Sequence, residues 1–378
     1  MVSVLFAMVF RFCEEKGLKK HYIISANALK HVKNRTFSSF SSATIKLFFI
    51  CSFYNETDAI GASVKTLRKY LYPILIGCTE IAAMVHCPGA VAAWHFTPRI
   101  SVEMVTAETT ESVYYNYPNG GKLSQLDWNL DSLFRINIGG TIQPTDWMRI
   151  NLDYAFKIDY GNADMTDYDW FYSFYDWSHR SEHSDTVINK ANHFEIGCEF
   201  PIMRAAQLLF TGGFGYRIDD WEWEARGGNY IYSSGLGFRD EVGSFPNGEK
   251  GITYEHKLTS FFLSLGAEAD FDRFAFASRV LYSPETKTDT KDTHHMRDLV
   301  FTEDFDDTTM LGIEIGAVYR YNRRINFSLD YTYTKYDKTS GQVVIAGNDI
   351  SPVLGDTVEG TFKSHETVIA LGVSYRFP

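Results

Sequence analysis

Cysteine is scarce in this chain. Five cysteines occur among 378 residues, and four of them precede residue 90. The rest of the chain keeps only Cys198, so it can form no internal disulfide. No two cysteines have the spacing of a metal site. Any chemistry in the main part of the chain must therefore come from other side chains.

Long apolar runs and basic charge are also lacking. Outside one stretch near the N-terminus, no run of about 18 or more apolar residues occurs, which excludes a helical membrane protein. The formal net charge of -11 argues against a general nucleic-acid binder. Aromatic residues, in contrast, reach 16%, with 23 Tyr and 29 Phe. Together with short alternating runs, this composition predicts an all-β protein.

The first 93 residues differ from the rest. Residues 64–93 combine basic side chains at 65–69, an apolar stretch and the small residues 89–93, which predicts a secretory signal peptide. Alternatively, Leu75 to Cys78 has the form of a lipoprotein cleavage box, with Cys78 as the lipidated residue. Residues 1–63 show no barrel pattern, and we interpret them as a spurious or disordered extension. Residues 94–378 then form the main domain.

The C-terminal segment alternates clearly. Ile369, Leu371, Val373, Tyr375 and Phe377 would share one face, and the residues between them are smaller or more polar. Such alternation, ending in an aromatic residue, is typical of outer-membrane barrels. A strand of a soluble sandwich would also alternate. The secretory signal and the terminal aromatic residue favour the membrane.

Ten segments of this kind predict an all-β fold, a transmembrane antiparallel β-barrel of about ten strands. They are residues 100–114, 130–142, 148–160, 194–201, 208–224, 258–271, 274–286, 311–321, 325–336 and 361–377. Short turns would face the periplasm. Long extracellular loops are predicted at 115–127, 161–190, 226–255, 287–307 and 338–360.

Two acid-bearing pieces fall in the second and fourth of these loops. Asp167 and Asp169 form a carboxylate pair, and Asp292 with His294 forms a carboxylate–imidazole pair. Residues at i and i+2 of an extended segment point to the same side. If the two pieces face each other across the barrel mouth, they can activate a water molecule. Each piece alone could equally be a solvated turn or a calcium contact.

Several stretches resemble the omptin family of outer-membrane proteases. They are Ser124 to Trp128, Asp167 to Trp170, Ala191 to Phe194, Ala225 to Ser234, Gly237 to Asp240 and Gly243 to Glu249. The resemblance covers about residues 96–377. It implies an endopeptidase in the bacterial outer membrane that cleaves polypeptides, with its active site facing the extracellular side.

The resemblance also implies catalytic roles. The aspartate couple of the family resembles Asp167 and Asp169, and its aspartate–histidine dyad resembles Asp292 and His294. His295 follows, but the i+2 spacing favours His294. The histidine would deprotonate a water molecule held by the aspartate couple. No metal is required, because the cluster has one histidine and no cysteine.

Substrate preference follows less directly. The family generally cuts between basic residues, and Glu111 resembles one of the acids that hold the basic side chain. The second expected acid is replaced by Thr290, and the neighbouring Asp289 would face the other way in a strand. A single carboxylate would bind a cation more weakly. The alternative for Glu111 is a solvated charge at the rim.

The family also implies lipopolysaccharide as an activating lipid, bound on the outer wall. Tyr216 and Lys257 resemble two members of that site, whereas Ile218 and Asp220 replace a glutamate and an arginine. The charge of Asp220 is wrong for a phosphate. Either the lipid contact has shifted or the chain depends on it less. Alternatively, Tyr216 and Lys257 form an ordinary aromatic belt with a snorkelling lysine.

Two other functions are compatible with a barrel. A non-enzymatic adhesin or invasion protein could use the same extracellular loops. A cation-selective pore is a third interpretation, although about ten strands leave a lumen mostly filled by side chains. The complete set of four catalytic groups favours the enzyme.

Overall fold

The fold was obtained as a computed structural model. It describes residues 95–115, 121–172, 176–347 and 357–377. The predicted extension and signal peptide, residues 1–93, lie outside the described residues. Within the described ranges, no helix is both long and apolar enough to span a membrane.

Fourteen β-strands make up the described part of the chain. They are β1 (His95–Tyr114), β2 (Lys122–Thr145), β3 (Met148–Lys157), β4 (Asn162–Asp169), β5 (His179–Ala205), β6 (Leu208–Arg226), β7 (Asn229–Tyr232), β8 (Glu241–Ser244), β9 (Lys250–Phe271), β10 (Phe274–His294), β11 (Leu299–Phe305), β12 (Thr308–Arg320), β13 (Ile325–Gly347) and β14 (Thr357–Tyr375). Every pairing is antiparallel, and strands that are neighbours in sequence are mostly neighbours in the sheet.

The sheet closes into a barrel with ten strand positions around its circumference, which are called walls here. Strands β3 and β4 follow one another between β2 and β5, and β11 and β12 do the same between β10 and β13. Each of these two pairs forms one wall, whereas β7 and β8 form a separate hairpin attached to β5. Pairing of β1 with β14 closes the ring. The predicted all-β barrel of about ten strands is confirmed.

Side chains alternate between the lumen and the outer surface. A belt of outward apolar residues covers the half of the barrel near the short turns, as expected for a lipid-facing surface. Its members include Ile100, Val102, Ile138, Leu152, Leu263, Leu265, Val280, Ile313, Ile315, Leu329, Leu371 and Val373. The opposite end, where β1 ends and β2 begins, is called the mouth.

The lumen has two layers. At the level of the belt, the lumen is filled by buried ion pairs: Arg135–Glu103, Arg217–Asp219, Arg217–Glu366 and Arg279–Glu195. Nearer the mouth, Trp128, Trp223, Tyr254 and Phe362 are fully buried. The candidate site lies between this aromatic layer and the mouth.

The predicted extracellular loops are mostly strand, which corrects the sequence interpretation. Strand β10 continues through the predicted loop 287–307 to His294, and only residues 295–298 turn before β11. Likewise, β4 and β5 occupy most of 161–190. Above the apolar belt the outer face meets water, so polar residues such as Lys287, Asp289 and Lys291 point outward. The apolar alternation that marks a strand is therefore missing there.

Candidate active site

The dyad lies on one strand. Asp292 and His294 are two positions apart on β10, and both point into the lumen. His294 Nε2 lies 2.6 Å from Asp292 Oδ2. Asp292 is 1% exposed and His294 is 8% exposed. With Nε2–H donating to the carboxylate, Nδ1 is the nitrogen that can accept a proton.

The aspartate couple lies on β4, near the mouth. Asp167 and Asp169 share the face of the buried Met165, which directs them inward. On the adjacent β2, Ser124 pairs with Asp169, and its hydroxyl donates to Asp167 Oδ1 at 3.5 Å. The backbone carbonyl of Asp169 accepts hydrogen bonds from the Ser178 amide at 2.7 Å and hydroxyl at 3.0 Å. These contacts fix the end of β4.

The fold brings the two pairs together across the lumen. Asp167 and His294 act on each other electrostatically, and the charge of Asp292 also reaches Asp167. The two aspartates that the sequence placed on one loop, and the dyad that it placed on another, therefore share one site. The structure places both pairs on strands, which hold their side chains more rigidly than loops would.

The environment shifts the protonation of both pairs. Burial and the neighbouring Asp169 raise the pKa of Asp167, and burial also raises the pKa of Asp169. Burial disfavours the charged imidazole of His294, but the charge and hydrogen bond of Asp292 outweigh it and raise the pKa of His294. A site of this kind can hold a proton on the aspartate couple while it offers a base on the dyad.

Glu111 lies in the lumen rather than at the rim. It sits on β1 between Leu126 of β2 and Phe362 of β14, and it is 2% exposed. The charges of Asp292 and Asp167 both act on its carboxyl group. Glu111 is therefore part of the same acidic site as the dyad and the aspartate couple.

The proposed lipid contacts lie on the outer wall. Lys257 is partly exposed on β9, between Asp220 of β6 and Asp289 of β10. Lys190 Nζ lies 3.5 Å from Asp220 Oδ1. Tyr216 shares the outward face of Asp220 but is only 3% exposed. The wall carries both signs of charge.

The comparison with known protein families is decisive. The sequence model of the omptin family matches residues 93–377 of this chain. The chain belongs to the omptin family. This omptin is thus an outer-membrane protease, and polypeptides are its substrates.

Individual relatives agree with this assignment. The chain is 26% identical over 307 residues to the plasminogen activator of Yersinia pestis, covering 80% of this chain and 96% of the relative. It is 32% identical over 200 residues to protease 7 of Escherichia coli strain K12, covering 52% and 62%. The solved outer membrane protease OmpT of Escherichia coli superimposes with a TM-score of 0.68 at 23% identity, covering 75% of this chain and 97% of that one. That likeness supports the barrel fold.

Three further residues of this omptin contact or influence the site, and the sequence did not indicate them. Ser124 bridges the aspartate couple, as described above. Tyr232, on the hairpin of β7 and β8, lies close to Asp167 and Asp169: burial and their charges raise its pKa. The positive charge of Arg297, in the turn after β10, reaches the couple and His294. Ser124 and Tyr232 lie within the omptin-like stretches, which were the only sequence signal for these two residues. Arg297 lies outside those stretches.

Proposed function

We propose that this omptin cleaves polypeptides next to basic residues, using a water molecule activated between the Asp292–His294 dyad and the Asp167–Asp169 couple. The 2.6 Å contact between His294 Nε2 and Asp292 Oδ2, opposite Asp167, is the observation that carries the proposal. It fixes the tautomer of the imidazole, in which Nδ1 is the nitrogen that can take a proton.

The proposed reaction begins with water between the two pairs. His294 Nδ1 removes a proton from the water, and the resulting hydroxide attacks the carbonyl carbon before the scissile bond. Asp292 stabilises the imidazolium that forms. A carboxyl proton retained on the aspartate couple donates to the developing oxyanion. The imidazolium then protonates the leaving amine, and the peptide bond breaks.

The charge of the site supports basic substrates. Four carboxyl groups cluster at the lumen end nearest the mouth: those of Asp167, Asp169, Asp292 and Glu111. Positively charged residues of a peptide are attracted to such a lumen. We further propose that the mouth faces the extracellular side, since the short turns and the apolar belt lie at the other end.

Lipopolysaccharide is proposed as the activating lipid. Lys257 and Lys190 project from the outer wall above the apolar belt, at the height where lipid phosphates would lie. Asp220 and Asp289 flank Lys257 and weaken this attraction. We therefore expect a modest rather than a strong dependence on the lipid.

The test uses the protein purified from outer membranes in detergent, with and without lipopolysaccharide. Quenched peptides containing Arg-Arg or Lys-Lys are the substrates. His294→Ala is expected to lower kcat by about 100- to 10,000-fold, because a general base contributes that much. The matched control is His295→Ala. This neighbouring histidine is exposed, and its Nε2 contacts Thr253 Oγ1 at 2.7 Å.

Equal losses in the two variants would assign the effect to the turn rather than to the base. Full activity in His294→Ala would refute the mechanism. Absence of cleavage of any basic peptide by the folded wild type would refute the substrate preference.

A further inference from the structure

A buried glutamate, Glu303 of β11, lies beside Thr290 of β10, the position where the family resemblance predicts an acid. Thr290 occupies the inward position of β10 one step below Asp292. In the sheet it pairs directly with Glu303 of β11. Glu303 is 5% exposed and shares the inward face of Phe305. Nothing in the sequence spacing links residues 290 and 303.

The side chain of Glu303 reaches back across the strand pair. The Thr290 hydroxyl donates to Glu303 Oε2. Directly paired residues in a sheet have Cβ atoms about 5 Å apart, and a glutamate carboxylate can cover that distance. The carboxylate of Glu303 is therefore held at the tip of Thr290, near the place that an acidic side chain at position 290 would occupy.

Glu303 also meets Glu111 of β1, which lies three strands away in the sheet, beyond β13 and β14. Their carboxyl groups lie within hydrogen-bonding reach of each other. Burial and the adjacent acids raise the pKa of Glu111, so the two carboxyl groups can share one proton, and no other donor among the described residues reaches Glu111 Oε2 or Glu303 Oε1. Buried polar atoms of this kind normally have partners. The pair has no donor beyond that shared proton, and an incoming cation would displace the proton and donate to both carboxylates.

Among the described residues, the charges that act most strongly on this pair are acidic. The charge that acts on Glu303 is that of Asp292, whereas Glu111 and Thr290 act on it through hydrogen bonds. His256 pairs with Thr290 on the other side, but burial lowers its pKa to about 3, so it is neutral. Burial and the adjacent acids raise the pKa of Glu111, as expected for carboxyl groups that lack a counter-ion.

The walls of the pocket suit a long side chain with a charged end. Trp128 and Tyr254 stack with ring centres 5.8 Å apart, and both are fully buried. Phe362 lies next to Glu111 along the sheet, with its ring 5.5 Å from that of His256. Apolar walls accommodate the methylene groups of lysine or arginine, and the acids at the end accept the charge.

We propose that Glu303 provides the second carboxylate of the pocket below the dyad, so that Glu111 and Glu303 together bind one arginine or lysine side chain of the substrate. The inference rests on the proposed peptide cleavage, and it replaces the weak single-acid pocket that Thr290 suggested. The acid has moved from β10 to the paired position of β11, and the pocket keeps two carboxylates.

The test compares Glu303→Gln with the wild type in the full outer-membrane protein. Two peptides differ only in arginine or its neutral isostere citrulline before the scissile bond. The wild type should prefer arginine, and Glu303→Gln should reduce the arginine-to-citrulline ratio of kcat/KM by about 10- to 100-fold, the effect of one charge-assisted hydrogen bond. Asp304→Asn is the matched control. It removes the next carboxylate along β11, which is exposed on the outer face, and should leave the ratio unchanged.

A swap variant makes the test independent of folding losses. Thr290→Asp combined with Glu303→Thr moves the acid back across the strand pair, and it should restore the preference for arginine that Glu303→Gln loses. Wild-type cleavage with an unchanged ratio in Glu303→Gln overturns the inference but leaves the protease intact. Failure of the swap to prefer arginine, in a variant that still cleaves, also counts against it. A folded wild type without activity on either peptide overturns the proposed function instead.

Discussion

At the level of single residues, the alternation of side chains along a strand explains why the site is built from two pairs. Asp167 with Asp169, and Asp292 with His294, are both i, i+2 pairs, so each pair must share a face. The sequence therefore predicted the composition of the site although it placed both pairs on loops. Which face points into the lumen was decided by neighbours, such as the buried Met165 on β4.

The pH dependence of activity should reveal the pairing of Asp292 with His294. The base must be neutral to act, and Asp292 raises the pKa of His294, so activity should rise with pH through a value above 6.5. In Asp292→Asn the imidazole stays buried but loses its counter-charge, and burial lowers a histidine pKa. The acid limb of the kcat/KM profile should therefore move to lower pH, and kcat should fall by about 100- to 10,000-fold.

The groups that face His294 define the control for this profile. They are Asp292 on its own strand, Asp167 on β4, His183 on β5 and Arg297 in the following turn. Asp289→Asn removes an exposed carboxylate from the other face of β10, so it should leave the acid limb in place. A limb that stays in place or moves upward in Asp292→Asn would show that Asp292 does not set the charge of His294.

At the level of strands and turns, the register of β10 with β11 decides what the sequence could not. Residues 295–298 form a tight turn in which Asp298 has a positive φ of 50°. Because of that turn, His294 pairs with Leu299. Five positions further along the two strands, Asp289 pairs with Asp304. Spacing alone cannot give this register, because a longer turn would shift every pair. Glu303 was therefore not predictable as a partner of Thr290.

The hairpin of β7 and β8 holds Tyr232 against the aspartate couple through one glycine. Gly228 has a φ of +102°, and a Cβ there would lie 2.2 Å from the Glu182 carbonyl oxygen. Gly228→Ala should displace the hairpin from β5, and kcat/KM should fall by roughly 10- to 100-fold, since small misplacements at a site have such effects. The midpoint of thermal unfolding should change little, because the membrane belt is remote.

Gly235→Ala is the matched control for the hairpin. It lies in the loop between β7 and β8, just beyond Tyr232, and a Cβ there would meet nothing within 4 Å. Its activity should match the wild type. Equal activity of Gly228→Ala and Gly235→Ala would mean that the hairpin does not support the site.

At the level of the whole molecule, the barrel has two environments. The apolar belt follows the alternation that the sequence showed, so ten walls were predictable from segments such as residues 361–377. Above the belt, water surrounds the outer face, and the same strands continue with polar residues on both sides. This part of the barrel holds the site. Its strands were predicted as loops because hydrophobic alternation depends on a lipid-facing outer surface, which these strands lack, and not on the strand conformation of the backbone.

The outer wall just above the belt is where the surrounding lipid would act on this enzyme. Asp220 lies beside Lys257 and 3.5 Å from Lys190, so it reduces the attraction of both lysines for a phosphate. Asp220→Asn removes that opposing charge. It should lower the lipopolysaccharide concentration for half-maximal activity by about two- to five-fold, the effect of a partly exposed charge pair.

The measurement is a lipopolysaccharide titration of peptide cleavage at fixed salt, since exposed charges are screened by ions. Glu255→Gln is the control, because it removes a carboxylate from the outward face of β9, two positions from Lys257, and its own ion-pair partner is Lys291 at 3.6 Å. Both variants have the same net charge, so a general change in surface charge would affect them equally. A shift confined to Asp220→Asn places the phosphate beside Lys257 and Lys190. Equal shifts, or activity that ignores the lipid in all three proteins, would place lipid activation elsewhere or remove it from the mechanism.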